Sequence, residues 1–230
     1  MPRQKAEARR LREILSALKA RYPEVGALLH HRSAWELLVA TILSAQCTDR
    51  RVNQVTPELF RRYPTPGALA SAEAGALEEV IRSIGLFRNK TQNLIAMARE
   101  TAERHGGCVP RDRESLEALP GVGRKTASVV LGQAFGEPAF AVDTHVGRVC
   151  HRLGFSTKPD PLDVERGVTA LLEPDSWVIA HLLLIRHGRE TCAARKPKCP
   201  ECAIRHLCPW PEKTQAVHPA IPARLLPGAR

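Results

Sequence analysis

Four cysteines lie within a short segment near the C-terminal end of the chain, and they constrain the fold more than any other feature. Six, two and five residues separate Cys192, Cys199, Cys202 and Cys208. Four thiolates so close in sequence suit either a tetrahedral zinc ion or an iron–sulfur cube. Zinc ribbons usually carry two matched pairs of cysteines, whereas this segment has one pair two residues apart. The spacing therefore favours an iron–sulfur cluster, with zinc as the alternative.

The charge balance favours a polyanionic partner. Lysine and arginine total 34 against 24 acidic residues, a net charge of +10. A basic surface releases counterions when it neutralises phosphates, so nucleic acid is a candidate partner. Aromatic residues make up only 4% of the chain, which argues against a single-strand binder that stacks bases on aromatic side chains.

The N-terminal segment MPRQKAEARRLREIL is basic but runs directly into a helical pattern. It lacks the apolar core and cleavage site of a signal peptide, and no stretch of the chain is long and apolar enough to span a bilayer. We therefore expect a cytoplasmic, nucleoid-associated protein with no membrane partner. In a reducing compartment, clustered cysteines indicate metal binding rather than disulfides.

Apolar residues recur with the period of a helix along most of the chain, as in Leu11, Ile14, Leu15 and Leu18. No strand alternation and no internal repeat is evident, so the sequence predicts an all-α fold of about ten helices. Ser33 and Glu36 match a capping box at the start of one helix. The run VIAHLLLI (178–185) is apolar nearly all round, which predicts a helix buried between others.

The segment SLEALPGVGRKTA (115–127) predicts two helices joined by a glycine turn. In that turn, Gly121 and Gly123 permit unusual backbone angles and let N–H groups point outward beside a helix N-terminus. Such a turn binds a phosphate without reading a base. Val122, between the glycines, is expected to turn inward and pack the two helices together. The whole pattern is typical of a helix-hairpin-helix.

Lys125 lies in the first turn of the second predicted helix of this hairpin. The helix dipole is positive there and favours the neutral amine, which is a nucleophile that can form a Schiff base. The alternative is that Lys125, like Arg124, only contacts phosphate. Eighteen residues further on, Asp143 precedes another helical stretch. It suits the N-cap of that helix, and as a carboxylate it could also stabilise positive charge on an opening sugar ring.

Together these residues resemble the endonuclease III family of the helix-hairpin-helix glycosylase superfamily. The resemblance runs from about residue 10 to Cys208. Its motifs, in chain order, are LSAQCTD (43–49), IGLFRNK (84–90), LPGVGRKTA (119–127), VDTH (142–145) and the cysteine spacing.

The resemblance implies two helical domains with a DNA-binding cleft between them. A six-helix barrel containing the helix-hairpin-helix would span 27–137. An iron–sulfur cluster domain would combine the N-terminal helix, 1–26, with residues 138–208. A Pro/Ala-rich tail, 209–230, would follow and lie on the surface or remain disordered.

The resemblance also implies the activity: removal of oxidised pyrimidines from duplex DNA, followed by nicking of the strand. Lys125 would displace the damaged base and form the imine from which β-elimination proceeds, and Asp143 would assist. The four cysteines would hold a [4Fe–4S] cluster. The partner would be double-stranded DNA with a damaged base or an abasic site, bound by a monomer.

Further DNA contacts follow from the same resemblance. Gln46 would fill the gap left by the flipped base, and Leu86 would enter the stack from the other side. The alternatives are that Gln46 caps a turn and that Leu86 belongs to the core. The remaining predicted DNA contacts are Gly121, Val122, Gly123, Arg124, His145, Arg195, Lys196 and Lys198. The three cations of the cysteine loop could instead only offset the cluster's negative charge.

The chain departs from the family pattern at Cys47, where alanine is expected, and at Gly147, where a bulky apolar residue is expected. Cys47 adjoins the proposed gap-filling residue, and Gly147 would loosen the helix after Asp143, so both bear on substrate range and lyase strength. An adenine glycosylase of the same superfamily is a weaker match, because such enzymes lack the lysine and carry an extra C-terminal domain. A non-catalytic DNA-binding or redox protein would not explain Lys125 and Asp143 in register.

Overall fold

The computed structural model describes residues 2–215, and within that range it contains eleven α-helices and no strand. The all-α prediction is confirmed. The part of the predicted tail beyond residue 215 lies outside the described residues. The helices are α1 (Pro2–Arg21), α2 (Ala34–Ser44), α3 (Asp49–Arg62), α4 (Pro66–Ala70), α5 (Ala74–Ile81), α6 (Phe87–Arg104), α7 (Arg113–Ala118), α8 (Arg124–Phe135), α9 (Thr144–Arg152), α10 (Pro161–Thr169) and α11 (Trp177–Glu190).

Helix α2 begins where the capping signal predicts. Ser33 Oγ accepts a hydrogen bond from the Glu36 N–H at 3.2 Å, which satisfies a donor of the first turn. The Glu36 carboxylate does not return to the Ser33 N–H, as a complete capping box would require. It accepts from the Arg32 N–H at 2.8 Å instead, because it also pairs with the Arg32 guanidinium at 2.9 Å.

Buried side chains form two separate hydrophobic cores. The first core consists of side chains between residues 29 and 141, and the second of side chains from α1 and from residues 140–204. Helix α1 contributes Leu11, Ile14 and Leu18, each fully buried, to the second core. Helix α1 therefore packs with the C-terminal half of the described chain. The domain boundaries proposed from the sequence stay predictions.

A segment without helical structure, residues 139–142, lies between the two cores. Ala139 and Ala141 are buried in the first core, whereas Phe140 and Val142 are buried in the second. Successive side chains therefore enter different cores, and one short segment contacts both. The segment ends directly before Asp143 and thereby places that carboxylate where the two cores meet.

Helix α11 is the central helix of the second core, as its apolar sequence predicts. Ala180 and the run Leu182–Ile185 are buried, and the helix packs against α1 and α9. Neither α11 nor another helix within residues 2–215 is long and apolar enough to cross a membrane.

Candidate functional site

The glycine turn connects α7 and α8 as the sequence predicts. Gly121 has a φ of +77°, and a Cβ atom there would lie 3.0 Å from the Cβ of Asn93, so only glycine fits. Val122 is buried in the first core and packs the two helices together. Gly123 is the N-cap of α8, and no side chain in the described range hydrogen-bonds to this cap. The N–H groups of the first turn therefore remain available to an anion.

Lys125 is exposed in the first turn of α8, beside those N–H groups. Its neighbour Arg124 forms a two-bonded ion pair with Glu165 of α10, with N–O distances of 2.8 and 2.9 Å. Arg124 was predicted to contact DNA, and the structure shows that it has an internal carboxylate partner. The two basic residues of the motif therefore have different surroundings.

Asp143 is the N-cap of α9. Its Oδ1 accepts hydrogen bonds from the N–H groups of His145 at 2.9 Å and Val146 at 2.8 Å. These two bonds orient the half-buried carboxylate, and they use one of its two oxygens. The capping role expected from the sequence is therefore confirmed, and the carboxylate retains a second oxygen for other chemistry.

His181 of α11 is buried within electrostatic range of both Lys125 and Asp143. Burial lowers the pKa of His181 to about 4; the charge of Asp143 acts in the opposite direction, and that of Lys125 lowers the pKa further. Both charges therefore act on the same buried imidazole. His181 Nδ1 lies 2.7 Å from the Ala141 carbonyl oxygen, so this nitrogen carries the proton and donates it. His181 was not predicted from the sequence, although a histidine within an apolar run is a signal.

Gln46 and Leu86, the residues predicted to fill the gap of a flipped base, share an unusual backbone conformation. Gln46 has a φ of 53° and Leu86 a φ of 58°, and both side chains are exposed. Leu86 is 56% exposed, so the alternative that it belongs to the core is wrong. The helix after Gln46 is capped by Thr48, whose Oγ1 accepts from the Arg51 N–H. The two loops adjoin, because a Cβ at Gly85 would lie 3.4 Å from the Gln46 carbonyl oxygen.

The four cysteines line one cavity. The other residues around it include Val149, Leu153, His187, Ile204 and Trp210. Arg152 Nη1 donates to Cys192 Sγ at 3.3 Å, and Cys202 Sγ lies 3.7 Å from His187 Nε2. Burial raises the pKa of the Cys202 and Cys208 thiols, so a bound metal would be needed to keep them as thiolates.

The donor set suits an iron–sulfur cube. Four thiols that line one cavity can each bind one corner of such a cube. Four thiolates also suit a tetrahedral zinc ion, so the preference for a cluster comes from the spacing of the cysteines in the sequence.

The loop between the first two of these cysteines presents three cations to solvent. Arg195, Lys196 and Lys198 are all exposed, and Lys196 has a φ of 50°. His145, another predicted DNA contact, is half-buried and its Nδ1 accepts from Arg148 Nη2 at 3.2 Å. DNA binding by these four residues stays a prediction.

Comparison with known proteins shows the family of this chain. The model of the HhH-GPD superfamily, described as base excision DNA repair proteins, matches residues 39–174. Endonuclease III of Synechocystis sp. is 49% identical over 205 residues, which cover 89% of this chain and 94% of that protein. Endonuclease III of Escherichia coli is 45% identical over 207 residues, covering 90% of this chain and 98% of that protein.

Solved structures show the same fold. A trapped endonuclease III–DNA covalent intermediate superposes with a TM-score of 0.84 at 45% identity, covering 88% of this chain and 95% of that chain. A thermostable thymine-DNA glycosylase superposes with a TM-score of 0.82 at 25% identity, covering 91% of this chain and 100% of that chain.

Proposed function

The chain belongs to the endonuclease III family of the HhH-GPD superfamily of base excision DNA repair proteins, and it is accordingly a DNA glycosylase and AP lyase; we propose that Lys125 and Asp143 carry out this chemistry on oxidised pyrimidines in duplex DNA. One observation carries the residue assignment. The charges of the exposed Lys125 and of the anchored Asp143 both act on the buried imidazole of His181, so both residues lie within electrostatic range of one side chain.

In the proposed reaction, the nitrogen of Lys125 attacks the anomeric carbon of the damaged nucleotide. The glycosidic bond breaks and the base leaves with the bonding electrons. Asp143 accepts a proton from the attacking nitrogen and stabilises the positive charge on the sugar. Opening of the sugar ring gives an imine. Loss of a proton from the adjacent carbon then expels the 3′ phosphate, and the strand is nicked.

DNA is bound, in this proposal, by groups that position it without reading its sequence. The open N–H groups of Gly121, Gly123 and the first turn of α8 would receive one phosphate, and Arg195, Lys196 and Lys198 would contact others. Gln46 and Leu86 would occupy the space of the flipped nucleotide. The net charge of +10 supports a polyanionic partner, and we place the site of action on the nucleoid, with the protein acting as a monomer.

A comparison of two neighbouring variants tests the nucleophile. Duplex DNA carrying thymine glycol is incubated with the protein, with and without borohydride, which reduces an imine to a stable amine. The wild type is expected to nick the strand and to form a trapped adduct, and Lys125→Ala to lose both. Arg124→Ala should retain the adduct. If Lys125→Ala still traps DNA, or if the wild type neither nicks nor traps damaged or abasic DNA, the assignment is wrong.

We further propose that Cys192, Cys199, Cys202 and Cys208 hold a [4Fe–4S] cluster. The cavity that they line and their spacing in the sequence support this proposal. Such a cluster supplies one-electron redox chemistry when bound. The ligands themselves would fix the loop that presents Arg195, Lys196 and Lys198. Iron and acid-labile sulfide in the purified protein are the expected result; zinc without iron would refute the cluster.

A further inference from the structure

We propose that Lys90 is a positioning residue for base flipping, because its side chain and its backbone together hold Gln46 and Leu86 in the conformation that enters the duplex. This inference rests on the proposed function, in which those two residues replace the flipped nucleotide. Lys90 itself is expected to touch no part of the DNA, since it is only 5% exposed.

The ammonium group of Lys90 is bound by the C-terminal end of a different helix. Lys90 lies in the first turn of α6, and its Nζ donates to the carbonyl oxygens of Leu43 at 2.9 Å and Ala45 at 2.5 Å. These oxygens belong to the last turn and the C-cap of α2, where the helix leaves carbonyls without partners and its dipole is negative. A cation there satisfies carbonyl acceptors that the helix itself leaves unpaired.

The two bonds control the peptide that leads into Gln46. The Ala45 carbonyl belongs to the peptide unit joining Ala45 to Gln46, so its orientation sets the backbone entering that residue. On the other loop, the Lys90 N–H donates to the Leu86 carbonyl oxygen at 3.1 Å. A single residue therefore binds the peptide before Gln46 through its side chain and the peptide after Leu86 through its backbone.

Both residues need such support. Non-glycine residues with positive φ occupy a conformation that is unfavourable by about 1–3 kcal/mol and persists where the surroundings impose it. Burial opposes the charge of Lys90 and lowers its pKa, an effect that the neighbouring Cys47 partly offsets. The fold thus contains the buried cation of Lys90 beside two strained residues, Gln46 and Leu86, in adjoining loops. Such strain is expected where a side chain must be held ready for insertion into DNA.

Lys90→Met tests the two side-chain hydrogen bonds, because it keeps the length of the apolar stem and removes the donors. Thr101→Val is the matched control, because Thr101 is a fully buried polar residue of the same helix and its Oγ1 bonds only within α6, to the Met97 carbonyl at 2.8 Å. Base removal is measured under single-turnover conditions at saturating duplex, beside the fluorescence of 2-aminopurine placed opposite the lesion. Melting temperatures are recorded for all variants.

We expect Lys90→Met to slow base removal by on the order of 10- to 100-fold and to reduce the 2-aminopurine signal, while Thr101→Val changes neither. In the double variant Lys90→Met/Gln46→Ala, the loss should be close to that of Gln46→Ala alone, because Lys90 acts through Gln46. If Lys90→Met does not fold, Lys90→Gln carries the same comparison, because its shorter stem withdraws the donor from the Leu43 and Ala45 carbonyls.

Three results separate the possible failures. If Lys90→Met changes only the melting temperature, or if its effect multiplies fully with that of Gln46→Ala, the positioning role is overturned while the proposed function stands. If Gln46→Ala itself has no effect, the role of Gln46 fails and the inference fails with it. If the wild type does not act on damaged duplex at all, the proposed function has failed first.

Discussion

Arg124 and Glu165 form a two-bonded ion pair, 2.8 and 2.9 Å, between the first residue of α8 and the middle of α10. The pair joins the glycine turn to a helix that packs in the second core. Glu165 therefore neutralises one of the two cations of the motif while it orients the guanidinium.

Replacing Glu165 by glutamine should strengthen binding to undamaged DNA. The Arg124 side chain would then be able to neutralise a phosphate, so the affinity should rise several-fold and the slope of log K against log salt should steepen by about one unit. Titrations of fluorescent duplex at several salt concentrations measure both quantities.

Glu100→Gln provides the control for that experiment. It removes the same charge from an ion pair, with Arg104, that lies roughly 20 Å along α6 from Leu86. This variant should leave the slope unchanged. Equal slopes for wild type and Glu165→Gln would show that Arg124 makes no new phosphate contact when its ion pair with Glu165 is lost.

The two roles of Asp143 can be separated by substitution. Asparagine keeps an oxygen that accepts from His145 and Val146, so Asp143→Asn should fold with nearly wild-type stability while base removal slows by roughly 10²- to 10⁴-fold. Asp143→Ala should lose the same activity and also about 1 kcal/mol of stability, because the cap is gone. Rates and urea unfolding are measured for both.

Asp160 supplies the matched control, because it caps α10 through the N–H groups of Leu162 and Asp163, both at 3.0 Å. Asp160→Asn should change neither rate nor stability appreciably. Full activity in Asp143→Asn would mean that the residue acts only as a cap.

The helices, the glycine turn and the cap at Asp143 could be predicted because each is encoded locally. Period and capping residues lie within a few positions of the structure that they specify. Val122 is a clear case: its place between two glycines was enough to predict an inward side chain. The exposed positions of Gln46 and Leu86 agree with roles that came from the family resemblance rather than from any periodicity.

Contacts between distant segments could not be predicted in this way. Glu165 pairs with a residue 41 positions away, and Lys90 bonds to a carbonyl 47 positions away. His181 contacts Ala141, 40 positions away, although its apolar neighbours indicated only a buried helix. The predicted role of Arg124 likewise omitted its carboxylate partner, because no local pattern relates the two helices.

Gly147 is explained by a close approach rather than by a loosened helix. Its N–H donates to the Asp143 carbonyl at 2.8 Å, so α9 continues through it, and an added Cβ would lie 3.2 Å from the Pro159 carbonyl oxygen. Gly147→Leu should therefore cost about 2 kcal/mol or more of stability, measured by urea unfolding, since the larger side chain must displace that backbone.

Gly67→Ala is the control for Gly147→Leu. No atom lies within 4 Å of a Cβ added at Gly67 of α4, so this substitution should be neutral or stabilise the protein by up to about 1 kcal/mol. If Gly147→Leu unfolds at the same urea concentration as the wild type, the loop carrying Pro159 can move at little cost. The short distance to the Pro159 carbonyl then does not explain why position 147 is glycine.

His181 should make the protein less stable as the pH falls from about 6.5 to 4. Burial holds its pKa at about 4 in the folded protein, whereas an unfolded histidine has a pKa near 6.5. Between those values the unfolded chain binds a proton that the folded protein does not, so the free energy of unfolding decreases by roughly 1 kcal/mol per pH unit. Above pH 6.5 both states are neutral and the residue contributes no slope.

His181→Gln tests this dependence, because its amide can still donate to the Ala141 carbonyl. Urea unfolding from pH 7 to 4.5 should show a shallower pH dependence in the variant than in the wild type; identical slopes would mean that His181 takes up its proton in the folded state. His187, whose pKa burial also lowers to about 4, is present in both proteins, so the difference isolates His181.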